Sequence, residues 1–108
     1  MKLFYIAGQY RAYRKDNNYD IDTMLERTME MRRVARKYLE MGYAIISPLT
    51  NYYLLDSDKL TDTFWLDVDR VLISKCDGIV MMPGWEMSRG ATSELKLAKE
   101  LGLEVIYD

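Results

Sequence analysis

Two acidic side chains stand where the helical pattern of the sequence favours apolar ones. Asp69 comes four residues after Trp65, inside the apolar arc of one predicted helix, and Glu94 falls between Ala98 and Leu101 on the inner face of another. Burying an unpaired charge costs several kcal/mol, so an inward carboxylate needs a charged partner, a raised pKa or a function. These two acids are therefore the first candidates for chemistry.

A structural explanation and a functional one are both open for these acids. Each could pair with a buried arginine or lysine, or lie close enough to a helix end to be hydrated. Two such acids near the same sheet edge favour a site instead. Paired carboxylates in a cleft are typical of glycosyl transfer, in which one attacks the anomeric carbon and the other orients or protonates.

The composition removes several classes of function. The chain has 108 residues, 49% of them hydrophobic, which suits one domain spanning residues 1–108. It has no histidine, which excludes Ser-His-Asp and Cys-His nucleophilic systems and His-ligated metals, and we expect neither a metal nor a cofactor. The single cysteine, Cys76, allows no internal disulfide and suits a reducing cytoplasm. A net charge of -2, with no apolar run long enough for a signal peptide or a membrane span, predicts a cytoplasmic protein that binds neither nucleic acid nor membrane.

Strand-like and helix-like segments alternate along the chain. They predict strands at 3–7, 43–47, 78–82 and 103–107, and helices at 23–41, 63–75 and 88–101. Thr23 with Glu26 fits a capping box at the start of the first helix. The alternation predicts a small α/β domain, Rossmann-like or flavodoxin-like, with a parallel sheet of four to five strands and helices on both faces. Ligands bind such sheets beyond the carboxyl ends of the strands, here the loops after Ala7, Ser47 and Met82.

Polar residues in these loops are further candidates. Ser88, Gly90 and Ala91 open the last helix, where free amides and the helix dipole attract a phosphate. Taken alone, an ordinary serine N-cap is the simpler explanation for Ser88. Arg11 could bind a phosphate or one of the two acids through both guanidinium nitrogens, or be a solvated loop arginine.

Aromatic residues surround the same loops. Tyr5 and Tyr10 are as compatible with packing as with a site, and Trp85 could stack on a base or serve an interface. The sequence contains neither a GxGxxG motif after the first strand nor a GxxxxGK[ST] motif. A dinucleotide dehydrogenase and a P-loop kinase are therefore disfavoured.

Three segments together resemble the nucleoside 2-deoxyribosyltransferase superfamily. They are Ile6-Ala7-Gly8-Gln9-Tyr10-Arg11, the helix carrying Asp69 ahead of Cys76-Asp77-Gly78-Ile79-Val80, and the stretch PGWE-x-S-x-GA-x-x-E from Pro83 to Glu94. Within the superfamily the chain looks closest to a small domain family of unassigned function from phage and bacterial genomes. The resemblance covers nearly the whole chain.

The resemblance implies roles for individual residues. Glu94 matches the nucleophile that forms a covalent deoxyribosyl intermediate, and Asp69 matches the acid that handles the proton of the base or leaving group. Ser88 matches a serine that contacts the 5'-phosphate in the nucleotide N-glycosidase branch, and Tyr5 approximately matches an aromatic residue near the nucleophile. Together with the loop residues considered above, the predicted ligand-binding set is Gly8, Gln9, Tyr10, Arg11, Trp85, Ser88, Gly90 and Ala91.

The expected function is hydrolysis or transfer of the N-glycosidic bond of a (deoxy)nucleoside 5'-monophosphate through a glycosyl-Glu94 intermediate. Two alternatives stay open. One is a module that binds or senses a nucleotide or nucleoside without turnover. The other is a glycohydrolase acting on NAD or a cyclic ADP-ribose-type nucleotide.

The composition of segment 49–60 predicts that the protein forms an oligomer. It has no regular period, yet it carries Tyr52, Tyr53 and Leu55, which are costly to leave in water. A chain of this size buries a limited core, so we expect a homodimer or higher homo-oligomer in which this segment meets a second subunit near the site. The alternative is a lid that folds over its own sheet.

Overall fold

The structure is a computed structural model that describes residues 1–48 and 59–108. Its strands are β1 (Leu3–Ala7), β2 (Ala44–Ile46), β3 (Gly78–Met81) and β4 (Glu104–Tyr107). Its helices are α1 (Ile21–Glu40), α2 (Asp62–Ser74) and α3 (Arg89–Glu100), and a short 3-10 turn spans Trp85–Met87. The order of these elements is the one that the sequence predicts.

The strands of the described ranges form one parallel sheet in the order β2-β1-β3-β4. β1 is central, because Tyr5 pairs with Ile46 of β2 on one side and with Ile79 of β3 on the other. The chain leaves β1 towards β2 and later enters β3 on the opposite side, so the loops after β1 and β3 diverge and leave a crevice. The predicted α/β class, with a parallel sheet between helices, is confirmed.

Side chains alternate along β1, which assigns each face of the sheet to different helices. Phe4 packs in a buried cluster with Met31 of α1. Tyr5, the next residue, packs in the opposite cluster with Ile73 of α2 and Leu95 of α3. Tyr5 therefore lies on the face covered by the two helices that carry the candidate acids.

The start of α1 differs from the prediction. Asp20 is the N-cap, and its carboxylate accepts hydrogen bonds from the Thr23 amide at 3.1 Å and from Thr23 Oγ1 at 2.8 Å. The capping box predicted for Thr23 is therefore wrong, because Thr23 donates to the cap instead of being it. An aspartate caps a helix as well as a threonine does, so residue type alone does not distinguish Asp20 from Thr23 as the cap. Thr61 and Ser88 cap α2 and α3, which confirms Ser88 as a helix cap.

Four apolar residues that helical spacing places towards the core are exposed instead, namely Leu39, Phe64, Val71 and Leu101. A helix lying on a sheet buries a stripe roughly 100° wide, which is narrower than the arc drawn from hydrophobicity alone. Leu101 also lies at the C-cap of α3, beyond its last helical residue. None of the helices in the described ranges has the length and apolar character needed to cross a membrane.

Candidate active site

A cleft of about 660 Å³ opens at the carboxyl edge of the sheet, between the loop after β1 and the first turns of α2 and α3. Its volume is in the range of small-molecule sites. All the residues predicted for the site except Trp85 line it, namely Tyr5, Gly8, Gln9, Tyr10, Arg11, Asp69, Ser88, Gly90, Ala91 and Glu94. The point where the strand order reverses therefore brings together side chains from separate parts of the chain.

Glu94 reaches the cleft from the second turn of α3. Ala91 and Ala98, one turn away on either side, are buried and small, which leaves room for the longer acidic side chain. Atom Oε2 of Glu94 is buried and has no hydrogen-bond partner among the residues that the structure describes. Burial raises the pKa of Glu94 to about 8, although the Tyr5 hydroxyl acts to lower it, and the charge of Asp69 raises it further. The protonated form of Glu94 is therefore favoured more than it is in a hydrated glutamate.

Asp69 lies on α2 with only 3% of its surface exposed. It follows Trp65 by one helical turn and precedes Ile73 by one turn, and both neighbours are buried. Its side chain lines the cleft and its charge acts on Glu94, so the inward orientation expected from the helical spacing is observed. Within residues 1–48 and 59–108, no three His, Cys, Asp or Glu side chains are placed to share a metal ion.

The first turn of α3 presents backbone groups to the same cleft. Ser88 Oγ accepts a hydrogen bond from the Ala91 amide at 3.1 Å and can still donate its own proton. The amides of the first helical residues, Arg89 and Gly90, have no acceptor within the helix. Among the residues that the structure describes, a Cβ added at Gly90 would meet only Ser88 Oγ, at 3.8 Å, so the backbone there is open to close approach.

Arg11 pairs with an acid that the sequence analysis did not single out. Its Nη2 donates to Asp62 Oδ1 at 2.6 Å, and its Nη1 donates to Oδ2 of the same carboxylate. The interpretation that Arg11 contacts Asp69 or Glu94 is therefore wrong in this structure. Asp62 is the first residue of α2, which overhangs the cleft and meets the loop after β1. Arg11 holds the pKa of Asp62 below its usual value, chiefly through these hydrogen bonds.

A family described as a domain of unknown function, DUF4406, matches residues 2–107. The chain belongs to this family. The DUF4406 family falls in the nucleoside 2-deoxyribosyltransferase-like group, which confirms the resemblance drawn from the sequence. No curated protein matches the sequence.

Among solved structures, this DUF4406 domain is similar to a 2-deoxyribosyltransferase from the psychrotolerant bacterium Bacillus psychrosaccharolyticus. The TM-score is 0.66 at 20% sequence identity, and the match covers 97% of this chain and 70% of the other. At that identity the likeness establishes a shared fold.

One ligand-binding prediction for the DUF4406 domain finds no support in the arrangement of the cleft. Trp85 begins the 3-10 turn, does not line the cleft, and packs its ring against Tyr107 at a centroid distance of 6.0 Å. Gly84, with φ of 89°, makes the turn that precedes it. The turn directs the indole towards β4, so the sequence correctly indicated a loop tryptophan but not its direction.

Two other features of the cleft in this DUF4406 domain were missed. Asp62 could have been found, since an acid after a helix-capping threonine at the carboxyl edge faces the loops of a switch point. Tyr13 also lines the cleft, and it stacks on Tyr19 across an antiparallel bridge at a centroid distance of 5.4 Å. The loop between β1 and α1 thus contains a small hairpin, with Asn17 at its turn in the left-handed conformation.

Proposed function

We propose that the protein breaks the N-glycosidic bond of a (deoxy)nucleoside 5'-monophosphate and transfers the sugar to a second base or to water. The observation that carries this proposal is the meeting of Asp69 and Glu94 in one cleft at the switch point. Two helices deliver these carboxyls to the same face of β1, next to Tyr5. Two neighbouring carboxyls without an imidazole suit a displacement at an anomeric carbon.

In the proposed reaction, an Oε atom of Glu94 attacks C1' of the sugar. The bond from C1' to the base nitrogen breaks, its electron pair leaves with the base, and Asp69 donates the proton that the departing base acquires. Water or a second base then attacks C1', loses a proton to Asp69 and releases the Glu94 carboxylate. Two displacements at one carbon retain the configuration of the substrate.

The raised pKa of Glu94 fits the role of nucleophile on the condition that the carboxyl is ionised when it attacks. A carboxylate attacks only when ionised, and burial disfavours that form in the empty cleft. Positive charge develops on the sugar ring in the transition state, where a poorly solvated carboxylate stabilises it more than a hydrated one would. The Tyr5 hydroxyl favours the ionised form before the ligand arrives.

The first turn of α3 supports a phosphate-bearing substrate. Ser88, Arg89 and Gly90 line the cleft that holds Glu94 at the positive end of the helix dipole, and the amides of Arg89 and Gly90 have no acceptor within the helix. The absence of a Cβ at Gly90 allows an oxygen of the phosphate to approach these amides. A neutral nucleoside would leave this part of the cleft unused.

The test is incubation of the purified protein with a panel of nucleosides and nucleoside 5'-monophosphates, with and without a second free base. Chromatography follows the released base and any new nucleotide, which separates hydrolysis from transfer. The Glu94→Gln variant should lose activity while keeping its fold. Glu100→Gln, on the exposed end of the same helix, is the matched control and should retain activity. No release from any substrate at high enzyme concentration would remove the enzymatic proposal.

One observation favours a second candidate, a nucleotide-binding module without turnover. Burial of Glu94 favours its protonated form, and a neutral carboxyl can donate a hydrogen bond to a ligand without attacking it. This candidate requires saturable binding, seen as a melting temperature that rises with ligand concentration, and no ligand consumption. Adding NAD and a cyclic ADP-ribose-type nucleotide to the panel tests the remaining glycohydrolase alternative.

A further inference from the structure

The Arg11–Asp62 ion pair stands between two cavities. A smaller cavity of about 210 Å³ lies beside the main cleft, and its lining includes Tyr19 and Trp65. Tyr10, Arg11 and Asp62 line both spaces. The ion pair is therefore part of the wall that separates the two cavities.

Asp62 can lose Arg11 at little cost. Its side chain is 70% exposed and would be hydrated on release, while that of Arg11 is 33% exposed. Asp62 also occupies the first position of α2, where the free amides and the helix dipole stabilise a carboxylate without help from Arg11. An ion pair this exposed contributes little to the free energy of unfolding. A ligand that breaks it therefore has little lost stabilisation to replace.

Arg11 can change partners without a movement of its loop. Arg27 of α1 donates from Nη1 to the Arg11 carbonyl oxygen at 2.6 Å, which holds the backbone at that residue. The guanidinium lies at the end of a flexible side chain, and its paired N–H groups fit a phosphate as well as a carboxylate. The same two N–H groups cannot bind the carboxylate and a phosphate at the same time.

We propose that Asp62 is a specificity-determining residue that competes with the anionic group of the ligand for Arg11. A ligand with a phosphate takes the place of Asp62 on the guanidinium, and the wall between the two cavities opens. A neutral ligand does not displace Asp62, so the ion pair stays intact and Arg11 adds nothing to the affinity for that ligand. The inference rests on the proposed function for its ligand class, nucleoside monophosphates, but not on any bond being broken.

Binding of inorganic phosphate, measured by calorimetry at low salt, tests this competition without turnover. Replacing Asp62 with asparagine removes the competitor and keeps a residue that the helix start accepts. We expect Asp62→Asn to bind phosphate about two- to fivefold more tightly than the native protein, the gain that an exposed ion pair corresponds to. Asp62→Glu keeps the charge and should bind phosphate as weakly as the native protein does.

Two controls separate competition from a general change in charge. Asp67→Asn alters the same helix at an exposed position that lines neither cavity, and it should leave phosphate affinity unchanged. In the Glu94→Gln background, Asp62→Asn should tighten binding of a deoxynucleoside 5'-monophosphate but not of the matching deoxynucleoside. Melting temperatures confirm that each variant is folded.

The inference is overturned if Asp62→Asn leaves phosphate affinity unchanged or weakens it, or if Asp67→Asn produces the same gain. Absence of phosphate binding in every variant would also overturn it, since Arg11 would then accept no external anion. Base release by the native protein is measured separately, so failure here is distinguishable from failure of the proposed function.

Discussion

Asp69 on α2 and Glu94 on α3 act on one another across the cleft, and the charge of Asp69 raises the pKa of Glu94. The two acids lie on separate helices that cover the same face of β1, and the Tyr5 side chain projects from that face towards them. Coupled carboxyls of this kind occur where environments are arranged to give two acids different roles. The relationship yields predictions about stability, pH dependence and binding.

The stability of the protein should fall as pH rises through the range that Glu94 titrates. Its pKa is about 8 in the folded protein and near 4.5 in an unperturbed glutamate, so between these values the folded state holds a proton that the unfolded chain has released. Glu94→Gln removes this pH-dependent cost. The melting temperature of Glu94→Gln relative to the native protein should therefore be higher at pH 8.5 than at pH 5, by at least about 4 °C for a domain of this size.

The comparison needs Glu100→Gln as its control, because that glutamate is exposed on the same helix. Its melting temperature relative to the native protein should not depend on pH over this range. A constant difference for Glu94→Gln would show that Glu94 titrates normally and that its burial has no energetic consequence.

Tyr5→Phe should shift the pH dependence of catalysis towards higher pH. The Tyr5 hydroxyl lowers the pKa of Glu94, and its removal leaves a ring of nearly the same shape in a fully buried position. The acidic limb of kcat/KM reports the ionisation of Glu94 in the free enzyme, so it should move up by about one pH unit, equivalent to a hydrogen bond of about 1.5 kcal/mol to a charged group.

Tyr43→Phe is the matched control for Tyr5→Phe, since Tyr43 packs on the α1 face of the sheet, away from Glu94. Its pH profile should coincide with that of the native protein. An unmoved profile in Tyr5→Phe would mean that the hydroxyl does not act on the ionising group.

Gly90→Ala should separate stability from binding. Beyond its chain neighbours and its own helix backbone, the added methyl group meets no atom of residues 1–48 and 59–108 closer than 3.8 Å. Alanine is also a better helix former than glycine, so the variant should gain about 0.5 kcal/mol in the free energy of unfolding. The same methyl occupies space beside the amides proposed to bind phosphate. Inorganic phosphate should therefore bind several-fold more weakly, and equal affinity would place the phosphate elsewhere.

Assembly stays a prediction from the sequence, because residues 52, 53 and 55 lie outside the described residues. We expect light scattering at high micromolar concentration to give at least twice the 12.7 kDa mass of the chain. Tyr53→Arg should reduce that mass by placing a charge in the proposed contact. A monodisperse monomer would instead favour the lid.

Local spacing was sufficient for much of the fold and for the two acids. Strands buried on both faces alternate with amphipathic helices, and this pattern predicts a parallel sheet without reference to any tertiary contact. Helical periodicity is also local, so the inward positions of Asp69 and Glu94 follow from neighbours three or four residues away. For the same reason Ser88 could be predicted as a helix cap.

Only the tertiary structure decided which distant groups meet. The pairing of Arg11 with Asp62, the packing of Trp85 on Tyr107, and the joint action of Tyr5 and Asp69 on Glu94 all depend on strand order and on how helices cross the sheet. No residue spacing encodes these contacts, because each joins segments brought together by packing. The pKa of Glu94 likewise depends on burial and charge in three dimensions, whereas the sequence determines only that a carboxyl is there to be buried.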